Sequence, residues 1–257
     1  MSRKIERRDF LKLLAAGAVT VIGIQQQSAT QASGPVGASP YSWAMVIDQN
    51  LCTGCGYCTL ACQAHNDAPP DIQWTRVIYD RKVDGRDVFL PRPCQHCDHA
   101  PCISVCPVGA SYKRADGIVM MNYDRCIGCR YCQIACPYQA RAFNWEEFVG
   151  DNPAVPDFGK PEIERRPRGV AEKCSFCYHR VDRGLEQGLT PGVDTFASPA
   201  CVVACPVAAR VFGDLNEPNS NVNKILEERV YYQLRPDMGN HTRVYYLPVR
   251  EAREPRA

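Results

Sequence analysis

The stretch CIGCRYCQIACP, from Cys126 to Pro137, decides the reading of the chain, because its four cysteines stand two, two and three residues apart. CTGCGYCTLAC, from Cys52 to Cys62, repeats it at seven of eleven positions. Gly54 and Gly128 occupy the same place in the two copies, between the first two cysteines, where a missing Cβ permits positive φ and close approach of backbone amides. All sixteen cysteines of the 257 residues lie between Cys52 and Cys205, in four groups of four. The second group is Cys94, Cys97, Cys102 and Cys106, and the fourth is Cys174, Cys177, Cys201 and Cys205, with 23 residues inserted after its first pair. These two groups also share an ending, CISVCPV at 102–108 and CVVACPV at 201–207, so four related units look duplicated twice. Three groups end in Cys-Pro, at Pro107, Pro137 and Pro206, whereas the first ends in Cys62-Gln63.

Three thiolates spaced by two residues wrap a short loop around one face of a compact cube, and the fourth cysteine, three further on, points away to a second cube. That is the arrangement of two-cluster ferredoxins, whose last cysteine, followed by proline, ligates the neighbouring [4Fe–4S] centre. At four thiolates per cube, sixteen cysteines correspond to four clusters. Disulfides would also consume every thiol, but a disulfide framework has no need of triplets with glycine between them. Zinc ribbons call for two distant pairs, not three cysteines within seven residues.

Composition agrees with a folded body of one or two domains: hydrophobic residues are 45%, charged residues 23%, and mean hydropathy is −0.31. Disorder and a multi-span membrane protein are both excluded on those figures. At the start, Arg7-Arg8-Asp9-Phe10-Leu11-Lys12 precedes twelve uncharged, mostly apolar residues, Leu13 to Ile24. That run is short for a bilayer span and reads as a twin-arginine export signal over residues 1–32, either cleaved after Ala32 or retained as an anchor. The route suits cubes built in a reducing compartment, since it carries folded, loaded cargo. The leader holds five Lys/Arg against two Asp/Glu, so the formal charge of +2 becomes −1 without it, and no basic footprint for nucleic acid remains. Four clusters with their thiolates add about −8. Lys173, Arg130, Arg125 and Arg141 lie near ligands in sequence and are candidates to offset that charge.

Beyond the cysteines, AMVID at 44–48, LPRPCQHCDHAPCISVCP at 90–107, DGIV at 116–119, EKCSFCYHR at 172–180, FGDLN at 212–216 and VYYL at 244–247 form a distinctive set. Together they resemble the iron–sulfur subunit family of membrane-associated molybdoenzymes and related respiratory complexes, among them dimethyl-sulfoxide, polysulfide and tetrathionate reductases. The resemblance spans about Tyr41 to Leu247. It implies an α+β fold of tandem, nested, bacterial-type two-cluster ferredoxin units with loop and β-hairpin insertions. The outer unit would take residues 41–66 and 170–214, and the inner unit 91–141. Between them come a hairpin insertion at 67–90 and a Pro-rich insertion at 142–169, with a C-terminal helix and tail at 215–257. The implied ligand sets are Cys52, Cys55, Cys58 and Cys205 for cluster 1, and Cys62, Cys174, Cys177 and Cys201 for cluster 2. Cluster 3 would take Cys94, Cys97, Cys102 and Cys136, and cluster 4 Cys106, Cys126, Cys129 and Cys132.

No glycine-rich phosphate loop, nucleophile elbow or paired-histidine helix occurs, so no catalytic residue is expected. The implied role is an electron relay at the outer face of the cytoplasmic membrane, between a membrane quinone-handling subunit and a catalytic, molybdopterin-containing subunit. Rival readings are a subunit of a quinol-oxidising or sulfur-metabolising complex without active molybdopterin, and a free-standing periplasmic polyferredoxin. Among the remaining features, Ile72–Leu90 around Asp84-Gly85 reads as a β-hairpin, and Asn219 or Ser220 as the cap of a helix through Ile225, Leu226 and Val230. Tyr57, Tyr131, Phe176 and Tyr178 read as rings that exclude water from cluster loops. The five histidines, His65, His96, His99, His179 and His241, read as structural or surface residues, and the prolines of 150–169 as a solvated loop.

Overall fold

The computed structural model describes residues 39–249; the twin-arginine stretch with Arg7 and Arg8, and the end of the C-terminal tail, lie outside the described residues. Strand β1 (Trp43–Asp48) is the spine of the fold, with all six residues buried. It pairs antiparallel with β8 (Arg210–Asp214), from Trp43 against Asp214 to Ile47 against Arg210. On its other side it pairs parallel with β9 (Val244–Leu247), from Met45 against Val244 to Asp48 against Leu247. A strand covered on both edges and both faces needs a near-continuous apolar run, and WAMVI supplies it. The strand that leads into the first cysteine group is thereby hydrogen-bonded to the strand that leaves the fourth.

The remaining strands form two-stranded ribbons. Strands β2 (Arg76–Val83) and β3 (Arg86–Arg92) are joined by Asp84 and Gly85 at φ 49° and 77°, the double positive φ of a tight hairpin turn, with a register shift between Tyr79 and Arg81. Strand β4 (Ser111–Lys113) pairs with β5 (Val119–Met121), and β6 (Ala142–Phe143) with β7 (Ala171–Glu172). Every ribbon or sheet edge of this kind abuts a cysteine group, so strand pairing brings distant groups side by side.

Helices lead into the last cysteine of each group. Three are single turns: α2 (Pro101–Ser104), α3 (Tyr131–Ile134) and α5 (Ala200–Val203). By contrast α1 (Tyr57–His65) continues past Cys62, and α4 (Tyr178–Glu186) follows Cys177. Ser220 caps α6 (Asn221–Glu228), its hydroxyl accepting from the Asn223 N–H at 3.2 Å. That helix buries Val222 against β1 and β8, and ends before Val230, which is exposed. Arg229 leaves the helical conformation at φ −128°, ψ 142°. Among the described residues no helix is long and apolar enough to cross a membrane.

The buried core is a set of small clusters in which cysteines stand among Trp43, Met45, Ile47, Phe176, Phe212 and Tyr246 in one, and among Ala110, Val119, Met121 and Tyr138 in another. The 144–170 segment is more than a solvated loop. Its Arg166 is 6% exposed, stacks on Trp74 at 4.8 Å and pairs with buried Glu172 at 3.3 Å, while Arg165 pairs with Asp67 at 3.0 Å.

Candidate metal centres

All sixteen cysteines are free thiols, and they converge in sets drawn from different groups. Cys52, Cys55 and Cys58 share one cavity with Cys205 and Arg210. Cys94, Cys97 and Cys102 share another with Cys136 and Arg141. Cys62 faces Cys174, Cys177 and Cys201 rather than the other thiols of its own group. Cys132 faces Cys126, and Cys106 and Cys126 pack beside it on the same small core. Cys129 is exposed.

The crossing cysteines, the last of each group, are held by a recurring turn. In Cys-Pro-x-x-Ala, the alanine N–H reaches back to the sulfur: Ala110 to Cys106 at 3.2 Å, Ala140 to Cys136 at 3.5 Å and Ala209 to Cys205 at 3.2 Å. The residue before each alanine has positive φ: Gly109 at 62°, Gln139 at 50° and Ala208 at 50°. The first group solves the problem otherwise. There the Asn66 side chain, four residues after Cys62, donates to the Cys62 carbonyl at 2.9 Å and lies 3.7 Å from its sulfur and 3.9 Å from that of Cys177. Hydrogen bonds to ligating sulfur are among the levers that set cluster potential. Of the two repeated glycines, Gly54 has φ 75° and an added Cβ would lie 2.6 Å from the Phe89 ring; Gly128 has φ 71° and its Cβ would lie 2.5 Å from the Gly169 carbonyl. Substitution is therefore blocked by protein as well as by conformation.

Burial, and then the neighbouring thiols, push Cys62 well up and raise Cys97 and Cys174 likewise; Cys177 is taken to about 12. Cys106 goes the other way: burial works to raise it, but the N–H groups of Ser111, Val108 and Ala110, with Arg141, bring it below its ordinary value. Sets of thiols that resist ionisation on their own become stable as thiolates when cationic metal binds them. Whether the residues fit such a group can be tested on the donors around it. Arg141 Nε and Nη2, His96 Nε2 and Ser175 Oγ are buried without a partner in the protein, all within two residues of a cysteine in sequence or against Cys102 and Cys132. Ligating thiolates and the inorganic sulfide of a cluster both accept such donors, and hydrogen bonds to them are among the levers on cluster potential. The donor set fits iron–sulfur cubes.

Of the four basic residues singled out from sequence, Lys173 and Arg141 are buried beside thiols. Arg125 is exposed, and exposed Arg130 stacks on Trp145 at 4.4 Å. Arg210 is not among those four, yet it is 3% exposed and its guanidinium lies 3.4 Å from Cys58 and 3.7 Å from Cys201. A signal for it exists in the chain: CPxxAR occurs at both 136–141 and 205–210. Tyr57 and Tyr131 do not shield thiols from water; both are exposed, at 57% and 59%, whereas Phe176 is buried. Phe176 stacks on His96, ring centroids 3.7 Å apart. His96 is fully buried and neutral: burial, then Lys173 and other cations, hold it well below its ordinary value, and its Nδ1 accepts from the Val119 N–H at 3.0 Å.

The profile of a 4Fe–4S dicluster domain matches residues 86–151, and that of a 4Fe–4S binding domain residues 43–64. The chain is 42% identical over 222 residues to the protein assigned as a dimethyl sulfoxide reductase iron–sulfur subunit in Halobacterium salinarum, covering 80% of this chain and 79% of that one. To the Hdr-like menaquinol oxidoreductase iron–sulfur subunit 1 of Archaeoglobus fulgidus it is 37% identical, covering 94% and 97%. To the iron–sulfur cluster-binding subunit of menaquinone reductase of Nitratidesulfovibrio vulgaris it is 40% identical, covering 81% and 89%. With thiols, donors and relatives in agreement, the chain belongs to the family of [4Fe–4S]-carrying, electron-transfer subunits of respiratory oxidoreductase complexes, and serves its complex without a catalytic site of its own.

Proposed function

We propose that the chain carries four [4Fe–4S] clusters in two nested pairs and relays electrons between a membrane quinone or quinol subunit and a catalytic, molybdopterin-containing subunit. Cluster 1 takes Cys52, Cys55, Cys58 and Cys205; cluster 2 takes Cys62, Cys174, Cys177 and Cys201. Cluster 3 takes Cys94, Cys97, Cys102 and Cys136; cluster 4 takes Cys106, Cys126, Cys129 and Cys132. Each cluster, when bound, accepts and returns a single electron. In this reading the nesting follows from the β1–β8 pairing, which ties the first group to the fourth.

One observation carries the reading, the graded burial of the four sets. All four thiols of the second set are buried, as are three of the third, whereas the first and fourth sets each have one exposed thiol, Cys55 and Cys129. A relay needs such an order, with insulated middle stations and accessible ends. Exposed apolar side chains surround each end in sequence: Leu51, Tyr57 and Leu60 near Cys55, and Ile127, Tyr131 and Ile134 near Cys129. Apolar exposure of this kind suits surfaces covered by partner subunits. Export through the twin-arginine route, to the outer face of the cytoplasmic membrane, rests on Arg7-Arg8 and on the need to load clusters before crossing.

Isolation of the chain with its associated subunits, followed by iron and acid-labile sulfide analysis, tests the proposal. About sixteen of each per chain, brown colour bleached by dithionite, and co-purification with a molybdopterin protein and an integral membrane protein are expected. Zinc in place of iron and sulfide, or disulfide-linked cysteines, would overturn it. Recovery as a stable, partner-free monomer from the periplasm would replace the relay by a free polyferredoxin.

A further inference from the structure

Three cationic side chains are almost wholly withdrawn from water beside cysteines: Arg210 at 3% exposure, Lys173 at 2% and Arg141 at 2%. Their neighbours differ in a regular way. Arg210 reaches Cys58 through Nη2 and Cys201 through Nη1, one thiol from each of the first two sets. Lys173 stands among Cys174, of the second set, and Cys94 and Cys102, of the third. Its ammonium donates to the carbonyls of Cys174, at 2.7 Å, and Val119. Arg141 lies against Cys102, of the third set, and Cys132, of the fourth. From one end to the other, the molecule alternates set, cation, set, cation, set, cation, set.

We propose that these residues are potential-setting cations, one in each of the three gaps of the relay, and that each favours reduction of the two clusters flanking it; the inference rests on the four-cluster reading above. Reduction adds one negative charge to a group already negative, and beside cations this deeply buried charges act strongly across a few ångströms. A fixed cation shared by two neighbours raises both reduction potentials together and keeps successive stations from drifting apart. The two arginines are copies of one device. Each stands five residues after a crossing cysteine, and each guanidinium touches a methionine sulfur on the strand before a 2-2-3 group: Met45 at 3.8 Å for Arg210, Met121 at 2.7 Å for Arg141. Lys173 has no such counterpart. It fills the seam between the pairs, beside the His96–Phe176 stack, where duplication of a two-cluster unit leaves a gap without an arginine.

Redox titration of the intact complex, followed by low-temperature paramagnetic spectroscopy, tests this without prior assignment of signals. Arg210→Gln, Lys173→Gln and Arg141→Gln should each move two of the four midpoint potentials downward. Each shift should be tenfold or more in the reduction equilibrium, about 59 mV for one electron. Signals moved by Arg210→Gln and Lys173→Gln share one member, as do those moved by Lys173→Gln and Arg141→Gln, while the two arginine variants share none. Arg235→Gln, which removes an exposed charge paired with Asp237, serves as control and moves nothing. Shifts common to all four signals, a signal shared by the two arginine variants, or no shift with iron intact would overturn the proposal. Should a glutamine variant lose iron, Arg210→Lys and Arg141→Lys decide instead. An ammonium keeps the charge in the gap, as Lys173 does in its own, so both flanking potentials should stay within tenfold of the unsubstituted protein, and a tenfold or larger fall with iron intact would refute the role of the charge. Fewer than four signals in the unsubstituted protein would instead refute the four-cluster reading itself.

Discussion

The crossing at Cys62 and the crossings at Cys106, Cys136 and Cys205 meet one requirement by two different constructions. Each must present its sulfur to a neighbouring set, supply that sulfur with an N–H donor, and turn the chain away. Three do so within five residues: a one-turn helix, a proline that cannot continue it, and an alanine N–H returning to the sulfur. At Cys62 the helix runs on to His65 and leaves carbonyls that the local chain does not satisfy. Those of His65 and Asn66 are satisfied from the 144–170 segment, by the Glu162 N–H at 2.9 Å and by Arg166, while Asn152 adds a second bond, at 3.2 Å, to the Gln63 carbonyl that the Ala68 N–H already reaches. The Pro-rich insertion is thus the remote cap of the one crossing that lacks the Cys-Pro turn. A degenerate copy of a motif and a different solution look alike in sequence, and the hydrogen bonds separate them.

The largest test of that contrast is to make the first crossing resemble the others. Gln63→Pro installs the missing Cys-Pro, but inside a nine-residue helix, where proline removes an N–H and crowds the preceding turn. It also removes the Gln63 side-chain N–H groups that bind the carbonyls of Pro69, Pro70 and Ile72 at 3.0–3.2 Å. A loss of about 3 kcal/mol or more is expected, read as a lower Tm of the loaded protein. The reverse exchange, Pro206→Gln, should cost only about 0.5–1 kcal/mol, since the turn there closes through Ala209. Equal costs for the two exchanges would mean that the crossings are interchangeable.

Asn66→Ala probes the same contrast more gently. The side chain does at Cys62 what an alanine backbone N–H does elsewhere, so its removal takes this donor from two sulfurs and one of two from the Cys62 carbonyl, which keeps the Asn66 backbone N–H. About 1–2 kcal/mol of stability should go, and the potential of the cluster bound by Cys62 should fall while the inner pair holds. Unchanged stability with unchanged potentials would show that the donor is dispensable and that the Ala110, Ala140 and Ala209 bonds are incidental as well.

What the sequence discloses and conceals follows the same division between local and remote construction. Ligand spacing is local, since loops that enclose a cube must repeat two-residue intervals, and so the sixteen thiols stand out unaided. The Ser220 cap is local too, a hydroxyl three residues from the N–H that it accepts. Remote construction leaves no such periodic mark. Nothing in WAMVID announces a parallel partner almost two hundred residues away at VYYL. Nothing in a run of prolines announces that Asn152, Glu162 and Arg166 reach back to α1. Arg210 lies between the two cases: it is written twice, in CPxxAR, but its meaning requires knowing that Cys58 faces the fourth group.

The smallest expected effect comes from the charge at the centre of that remote cap. Glu162 receives His65 at 2.6 Å, His179 at 3.5 Å, Arg183 at 2.9 Å and Arg180. Burial works to raise its pKa, but Arg180, Arg183 and His65 outweigh burial and hold the carboxyl below its ordinary value. A depressed carboxyl stabilises the folded state at pH above its unfolded pKa, and that contribution disappears as pH falls through the folded value. Glu162→Gln should therefore lower stability by about 1 kcal/mol at pH 7. The Tm gap from the unsubstituted protein should narrow only below about pH 4.3, the ordinary glutamate range. Glu162 closes the loop onto α1 while the three Cys-Pro turns carry no such charge, so the narrowing belongs to the first crossing alone. A gap that stayed constant down to acid denaturation would assign the effect to packing, and the cap to its backbone and Arg166 bonds without the carboxylate.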